Sequence, residues 1–94
     1  MNVTFTKAAQ ADTEEIHRYI ARENPAAASN VVAAIERATT RLSAFPLSGR
    51  IGAVETTREL VISKLPFIVI YRVTADTIEI IAVFHAAKDK PRGR

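Results

Sequence analysis

Three residues in the second half of the sequence, Glu59, Arg72 and His85, are of the types that could together cleave a phosphodiester bond. The carboxylate would act as a general base, the guanidinium would stabilise charge on the phosphate, and the imidazole would donate a proton near neutral pH. This chemistry requires the three side chains to surround one phosphate group. The elements that carry them therefore decide whether such a site exists.

All three residues lie on predicted strands, whose sequences are RELVISK, FIVIYRV and TIEIIAVFH. The strands break at residues 65–66 and 75–76, and such short breaks predict tight hairpins. Two-residue loops would pair Tyr71 with Leu60 on one side and with Ile80 on the other, and alternation then fixes the face of every strand residue. One predicted face is wholly apolar and consists of Leu60, Ile62, Phe67, Val69, Tyr71, Val73, Ile78, Ile80, Ala82 and Phe84.

The same pairing places Glu59 opposite Arg72, and Arg72 opposite Glu79, on the second face. A guanidinium between two carboxylates is already neutralised, and cross-strand salt bridges of this kind contribute about 0.2–1 kcal/mol per pair. His85 is predicted opposite Pro66, about 20 Å along the ladder from Arg72 at about 3.3 Å per residue. The register therefore predicts no catalytic site, whereas a β-bulge that brought the three candidate residues together would create a nuclease site.

The second face also carries aliphatic residues that a single helical layer could not cover. They are Val61, Ile68, Ile70, Ile81 and Val83. In a lone chain they would form an exposed apolar patch, which is typical of a protein-binding surface. We expect an added strand or an amphipathic helix of a partner to cover this patch. The alternative is that the N-terminal strand, a loop or the tail of the chain itself folds over it.

The first half of the sequence predicts a short strand followed by two helices. NVTFT alternates apolar and polar residues, and helical spacing continues over residues 7–23 with Thr6 or Asp12 as the N-cap. The second helix is expected over residues 25–45, after the N-cap Asn24 and before the proline that ends it. The predicted fold is α+β with the order β-α-α-β-β-β, in which a helical hairpin packs on one face of a small antiparallel sheet.

Length and composition limit the class of protein. Residues 1–94 are enough for one domain with a thin core, which ends in a basic tail over residues 86–94. The sequence has no cysteine and only two histidines, so we predict neither a metal nor another cofactor. The N-terminus does not resemble a secretory signal, and no apolar run has the length of a membrane span, so a cytoplasmic protein is expected.

The formal net charge of +3 is unevenly distributed, since residues 48–94 hold eight Lys and Arg against five Asp and Glu. Four of these positive charges lie in the tail, on Lys88, Lys90, Arg92 and Arg94. This distribution favours an acidic partner, either a nucleic acid or an anionic protein surface. A solvated tail that keeps the protein soluble is the simpler alternative.

The order of the predicted elements and several short motifs resemble the RelE/ParE superfamily of bacterial toxins, and more closely its ParE branch. The motifs are ENP near the end of the first helix, FPLSGR after the second, REL and YRV in the strands, and VFH at the end of the last strand. The resemblance covers nearly the whole chain. It implies the fold given above and a toxin that poisons DNA gyrase by binding, without chemistry of its own.

The resemblance also implies two partners. ParE toxins are held inactive by a ParD-type antitoxin, which would cover the aliphatic patch and place acidic residues against Arg50, Arg58 or the tail. The C-terminal segment of the family is implicated in gyrase poisoning, which would give the four basic tail residues a target-contacting role. Nucleic acid would then be contacted only through the target complex.

The RelE branch of the superfamily provides the alternative, a ribosome-dependent messenger RNA endoribonuclease. Those enzymes use clustered basic residues with a tyrosine or histidine near the C-terminus. This sequence departs from that pattern, because no tyrosine follows His85 and the middle loop and strand hold only Arg50, Arg58 and Lys64. The candidate set of Glu59, Arg72 and His85 does resemble that of one nuclease subgroup. A family member that has lost toxicity is a third alternative.

Overall fold

The computed structural model describes residues 1–87, which form two helices and five strands. In chain order these are β1 (Asn2–Phe5), α1 (Lys7–Ala21), α2 (Pro25–Arg41), β2 (Arg50–Ile51), β3 (Arg58–Val61), β4 (Phe67–Val73) and β5 (Thr77–His85). The sheet order is β1-β5-β4-β3-β2, with β1 parallel to β5 and the other neighbours antiparallel. The predicted α+β class is confirmed. Two details differ, since the sheet is mixed and the loop after α2 forms the additional short strand β2.

Helix α1 is capped by Thr6, whose Oγ1 accepts a hydrogen bond from the backbone N–H of Ala9 at 3.1 Å. Asp12, the alternative cap, lies inside the helix, and its Oδ2 accepts a hydrogen bond from the backbone N–H of Val83 at 3.0 Å. The Thr6 hydroxyl also donates to the backbone carbonyl of Ile81 at 3.2 Å. Strand β1 pairs only with the first four residues of β5. Beyond them, the side chains of Thr6 and Asp12 form hydrogen bonds to the backbone of β5 in place of a neighbouring strand.

Helix α2 begins as the sequence predicts and ends earlier. The Asn24 side chain accepts a hydrogen bond from the backbone N–H of Ala27 at 3.0 Å, and Pro25 occupies the first helical position. The helix ends at Arg41, so the predicted extension to Phe45 is wrong. Phe45 lies in the following loop with its side chain 62% exposed.

The two helices cover one face of the sheet, which we call the helix-covered face. Each large aliphatic side chain that is buried there contributes about 1.5–3 kcal/mol to stability. The opposite face of the sheet is called the open face below. The fully or nearly buried residues of the helix-covered face are Ala9, Val31, Ile35 and Leu42 from the helical half, and Ile62, Phe67, Val69, Tyr71, Ile78, Ile80 and Val83 from the sheet half.

The hairpin between β3 and β4 has a longer turn than predicted. The backbone N–H of Ile62 donates to the carbonyl of Phe67 at 3.0 Å, so the turn comprises residues 63–66. Leu60 is therefore opposite Val69, a shift of two positions from the predicted register. Since side chains alternate with period two, the shift leaves the face of each β3 residue unchanged and alters only its neighbours.

The hairpin between β4 and β5 contains a β-bulge. The predicted pairing of Tyr71 with Ile80 is observed, but the preceding residue of β4 is opposite Ala82, which leaves Ile81 as an extra residue on β5. Beyond the bulge, every side chain of β5 points to the face opposite to the predicted one. The predicted faces are therefore wrong for Ala82, Val83, Phe84 and His85.

The open face carries a second buried cluster where an exposed patch was expected. It consists of Ile68, Ile70, Ala82 and Phe84, with Ile81 packed partly buried against them. The prediction that Ile68 and Ile70 are exposed is wrong, and Val83 is buried on the helix-covered face. Val61, whose side chain is 53% exposed, is the residue of the expected patch that stays largely accessible.

A candidate protein-interaction surface

The charged residues that were predicted to form one row belong to two separate ion pairs on the open face. Arg72 is opposite Glu79, and their side chains form the predicted salt bridge. Glu59 instead pairs with Arg50 of β2, with 3.0 Å between Nη2 of the arginine and Oε1 of the glutamate. The two-position shift of β3 places Glu59 opposite Ile70, so the predicted contact between Glu59 and Arg72 is wrong.

His85 lies on the helix-covered face, on the other side of the sheet from these ion pairs. Its ring packs edge-on against Phe67, with 5.4 Å between the ring centroids, and its Nδ1 accepts a hydrogen bond from the backbone N–H of Ala87 at 3.1 Å. Because of the bulge, His85 is opposite Phe67 rather than Pro66. The sheet therefore separates this imidazole from the other two candidate catalytic residues, and the three do not surround a common site.

The loop between α2 and β2 is held to the sheet by the buried side chain of Tyr71. Its hydroxyl donates to the carbonyl of Pro46 at 2.8 Å and accepts from the backbone N–H of Gly49 at 2.9 Å. A Cβ at Gly49 would lie 2.7 Å from the Tyr71 ring and hydroxyl and 2.9 Å from the carbonyl oxygen of Glu59. Glycine is thus required for this close approach, and one hydroxyl satisfies two backbone groups of the loop.

The same loop is held a second time by Arg58, which sequence analysis had assigned to antitoxin binding. Nη1 of Arg58 donates to the carbonyl of Gly49 at 2.8 Å and to that of Leu47 at 3.4 Å. Neither of the two salt bridges found among residues 1–87 includes Arg58. Arg50, the other predicted antitoxin-binding cation, has a side chain that is 60% exposed even though it is paired with Glu59.

Because the backbone carbonyls of this loop are bound to the sheet, its large apolar side chains project into solvent. Phe45, Leu47 and Ile51 are 62%, 65% and 81% exposed. Ile51 is opposite Arg58 in the β2–β3 ladder, and the Arg58 guanidinium reaches the Leu47 carbonyl, so Leu47 and Ile51 flank one side chain. We call Phe45, Leu47 and Ile51 the sheet-edge patch. Three large apolar side chains that stay exposed within seven residues of sequence make this segment a candidate interaction surface.

The sheet-edge patch was not predicted, because Phe45 fits the apolar stripe of α2 and the glycines after it indicate only a turn. The segment FPLSGRI did contain a signal. It places three large apolar residues among proline, serine and glycine, where no regular element could turn all three toward a core. Here the side chains of Tyr71 and Arg58 bind the backbone of the loop, so the loop is held in place while its own apolar side chains stay exposed.

Within residues 1–87, no group of three His, Asp or Glu side chains is placed to hold a metal ion. Neither α1 nor α2 is long and apolar enough to cross a membrane. The predicted target-contacting residues Lys88, Lys90, Arg92 and Arg94 lie outside the described residues.

A helical hairpin on a mixed five-stranded sheet, formed by residues 1–87, has the α+β architecture that the resemblance to RelE/ParE toxins implied. Residues 3–90 match the family described as the ParE toxin of the type II toxin–antitoxin system parDE. The chain therefore belongs to the family of ParE toxins of type II toxin–antitoxin systems.

Two relatives agree with this assignment. The chain is 40% identical over 90 residues to the protein named "Putative toxin Y4kP" from Sinorhizobium fredii. The aligned region covers 96% of this chain and 93% of the relative. It is also similar to a chain of the solved structure titled "Chromosomal ParDE TA system from P. aeruginosa". That match has a TM-score of 0.80 and 27% identity, and it covers 90% of this chain and 95% of the other.

Proposed function

We propose that this ParE-family toxin inhibits DNA gyrase by binding and is neutralised by a ParD-like antitoxin. The observation that carries the proposal is the separation of Glu59, Arg72 and His85, since two lie in different ion pairs on the open face and the third packs on the helix-covered face. General acid–base cleavage needs such groups within hydrogen-bonding reach of one substrate. A toxin of this family whose described residues, 1–87, do not bring these three groups together is expected to act through a complementary surface.

Inhibition by binding would follow from stabilisation of the covalent complex between gyrase and cleaved DNA. The basic tail is the proposed contact with the target, through Lys88, Lys90, Arg92 and Arg94. Its positive charges would increase the rate of association with an anionic surface of the gyrase–DNA complex. DNA would be contacted only in that complex, and the toxin would act in the cytoplasm.

Neutralisation would follow from occlusion by the antitoxin. Of the residues first predicted for this contact, Val61 and Arg50 are exposed and Ile81 and Arg58 are partly buried. The others, Ile68, Ile70 and Val83, are buried and could be reached only if the sheet rearranged. We therefore propose that acidic residues of the antitoxin pair with Arg50 at the β2 edge of the sheet.

Two assays with purified toxin test the proposal. A gyrase reaction on supercoiled plasmid, stopped with detergent and protease, should accumulate linear DNA when toxin is present. Toeprinting on translating ribosomes should show no new message ends. The reverse result would establish the endoribonuclease alternative, and no effect in either assay together with antitoxin binding would identify a member that has lost toxicity.

The tail assignment has its own test. A toxin truncated after residue 87 should fail to accumulate linear DNA and should keep its affinity for the antitoxin. Full potency of the truncated toxin in the gyrase reaction would exclude the tail as the target-contacting segment.

A further inference from the structure

Strand β2 is an edge of the sheet whose outer hydrogen-bonding groups are available. The backbone N–H of Gly52 donates to the carbonyl of Thr57 at 2.9 Å, so Gly52 faces β3. In an antiparallel ladder the backbone groups of successive residues point to opposite sides. Ile51, which precedes Gly52 and is opposite Arg58, therefore directs its N–H and C=O away from β3.

The side chains at this edge differ between the two faces of the sheet. Ile51 shares a face with Arg58 and Tyr71, which is the helix-covered face, and its side chain is largely exposed there. Arg50 lies on the open face, where its guanidinium is paired with Glu59 and remains largely exposed. A strand added to β2 would therefore place alternate side chains on an apolar surface and beside a cation.

We propose that the outer edge of β2 binds an extended segment of the antitoxin in which apolar and acidic residues alternate, and that this segment becomes a sixth strand. The proposal rests on the proposed function, because it takes the antitoxin as the partner. The apolar residues would contact Phe45, Leu47 and Ile51, and the acidic residues would pair with Arg50. Backbone hydrogen bonds to Ile51 would fix the register of the added strand.

Two features favour this edge and this occupant. Where β5 continues past β1, the side chains of Thr6 and Asp12 already occupy its backbone groups, so that part of the sheet is closed to an added strand. A second copy of this chain would bring another Arg50 to the same edge, and like charges that meet across strands are destabilising.

The loop anchors explain why this surface would be ready for binding. The Tyr71 hydroxyl and the Arg58 guanidinium fix the backbone of residues 46–49 without burying Phe45 or Leu47. A partner would then lose little free energy in ordering the surface that it contacts.

The test uses isothermal titration calorimetry of the full-length toxin with its purified ParD-like antitoxin. Leu47→Asp should weaken binding at least about tenfold, because a charge would be buried against apolar residues of the antitoxin. Tyr19→Asp is the matched control, since Tyr19 is a large side chain on α1 at 57% exposure and lies outside every surface assigned to the antitoxin. It should change the affinity less than about threefold.

A second comparison isolates the backbone contact. Ile51→Pro removes an N–H that points away from β3 and so spares the β2–β3 ladder, whereas Ile51→Ala keeps the N–H and removes only side-chain area. The proline variant should bind at least about fivefold more weakly than the alanine variant. As a check that needs no variant, the Ile51 amide of the wild-type toxin should exchange its hydrogen much more slowly in the complex than in free toxin.

Each outcome distinguishes the inference from the function on which it rests. If wild-type toxin binds the antitoxin while Leu47→Asp binds normally or the Ile51 amide stays unprotected, the docking site is wrong and the toxin–antitoxin function stands. If Tyr19→Asp weakens binding as much as Leu47→Asp, the docking site is likewise wrong. If the wild-type toxin does not bind the antitoxin, both the proposed neutralisation by the antitoxin and the proposed docking site are wrong.

Discussion

Strands β4 and β5 at the centre of the sheet carry apolar side chains on both faces, whereas β2 and the loop before it are held by polar groups and expose their apolar side chains. At the centre, burial of aliphatic side chains supplies the stability. At the β2 edge, hydrogen bonds from Tyr71 and Arg58 position a backbone that buries little side-chain area. Burial at the centre therefore maintains the fold, whereas the β2 edge leaves apolar side chains exposed, as the proposed docking of a partner requires.

The largest expected effect tests the centre on its open face. Ile70→Ala should lower the free energy of unfolding by about 2–5 kcal/mol, because Ile70 is fully buried in the second cluster. Urea denaturation followed by circular dichroism measures the change. Val61→Ala on the same face is the control and should cost less than about 0.5 kcal/mol. Equal, small losses in both variants would mean that the open face has no second core.

Tyr71→Phe should have the next largest effect. The substitution leaves the Pro46 carbonyl and the Gly49 N–H without their partner, which costs about 1–3 kcal/mol where these groups are buried. The same denaturation experiment measures the loss. Because the hydroxyl anchors the loop of the sheet-edge patch, the variant should also bind the antitoxin more weakly. Unchanged stability and unchanged affinity would show that the hydroxyl does not position the loop.

A smaller and opposite effect is expected in the turn between β2 and β3. Thr56 is a β-branched residue with φ of 68°, a conformation that is strained for such a side chain. Thr56→Gly should relieve this strain and stabilise the protein by about 0.5–1 kcal/mol, after allowance for the greater freedom of glycine in the unfolded chain. The midpoint of thermal unfolding should rise, whereas a fall would show that the threonine is not strained in solution.

The smallest effect is expected for the exposed ion pair between Arg72 and Glu79. Arg72→Ala should cost at most about 1 kcal/mol, because both side chains are partly exposed to water and the attraction is screened. The loss should shrink further in high salt. A cost of several kcal/mol that is insensitive to salt would assign this arginine a role in the core instead.

Much of the fold followed from the sequence because its local signals agree with one another. Asn24-Pro25 marks the start of α2, and alternation assigns the residues of β4 to their faces correctly. The bulge at Ile81 could not be predicted, because IIAVF is apolar at every position and is compatible with either register. The length of the turn after β3 could not be predicted either. Lys64 adopts a positive φ in this turn, but a lysine in the sequence does not indicate that conformation.

The candidate site was harder to predict than the fold for the same reason. The bulge decides which face His85 occupies, and the turn decides which partner Glu59 has. Both errors lie in register, which one inserted residue changes for a whole strand. The sheet-edge patch depends on three-dimensional anchoring by Tyr71 over 22 residues of sequence, a contact that no local pattern encodes.

The proposed function requires that this toxin acts by binding gyrase and that Glu59 and His85 take no part in chemistry. The most direct measurement is the amount of linear DNA formed by gyrase with wild-type toxin and with a Glu59→Gln, His85→Gln double variant of matched thermal stability. We expect both proteins to accumulate linear DNA, with amounts within about twofold of each other. Absence of linear DNA with the wild type, or its loss only in the double variant, would contradict the account.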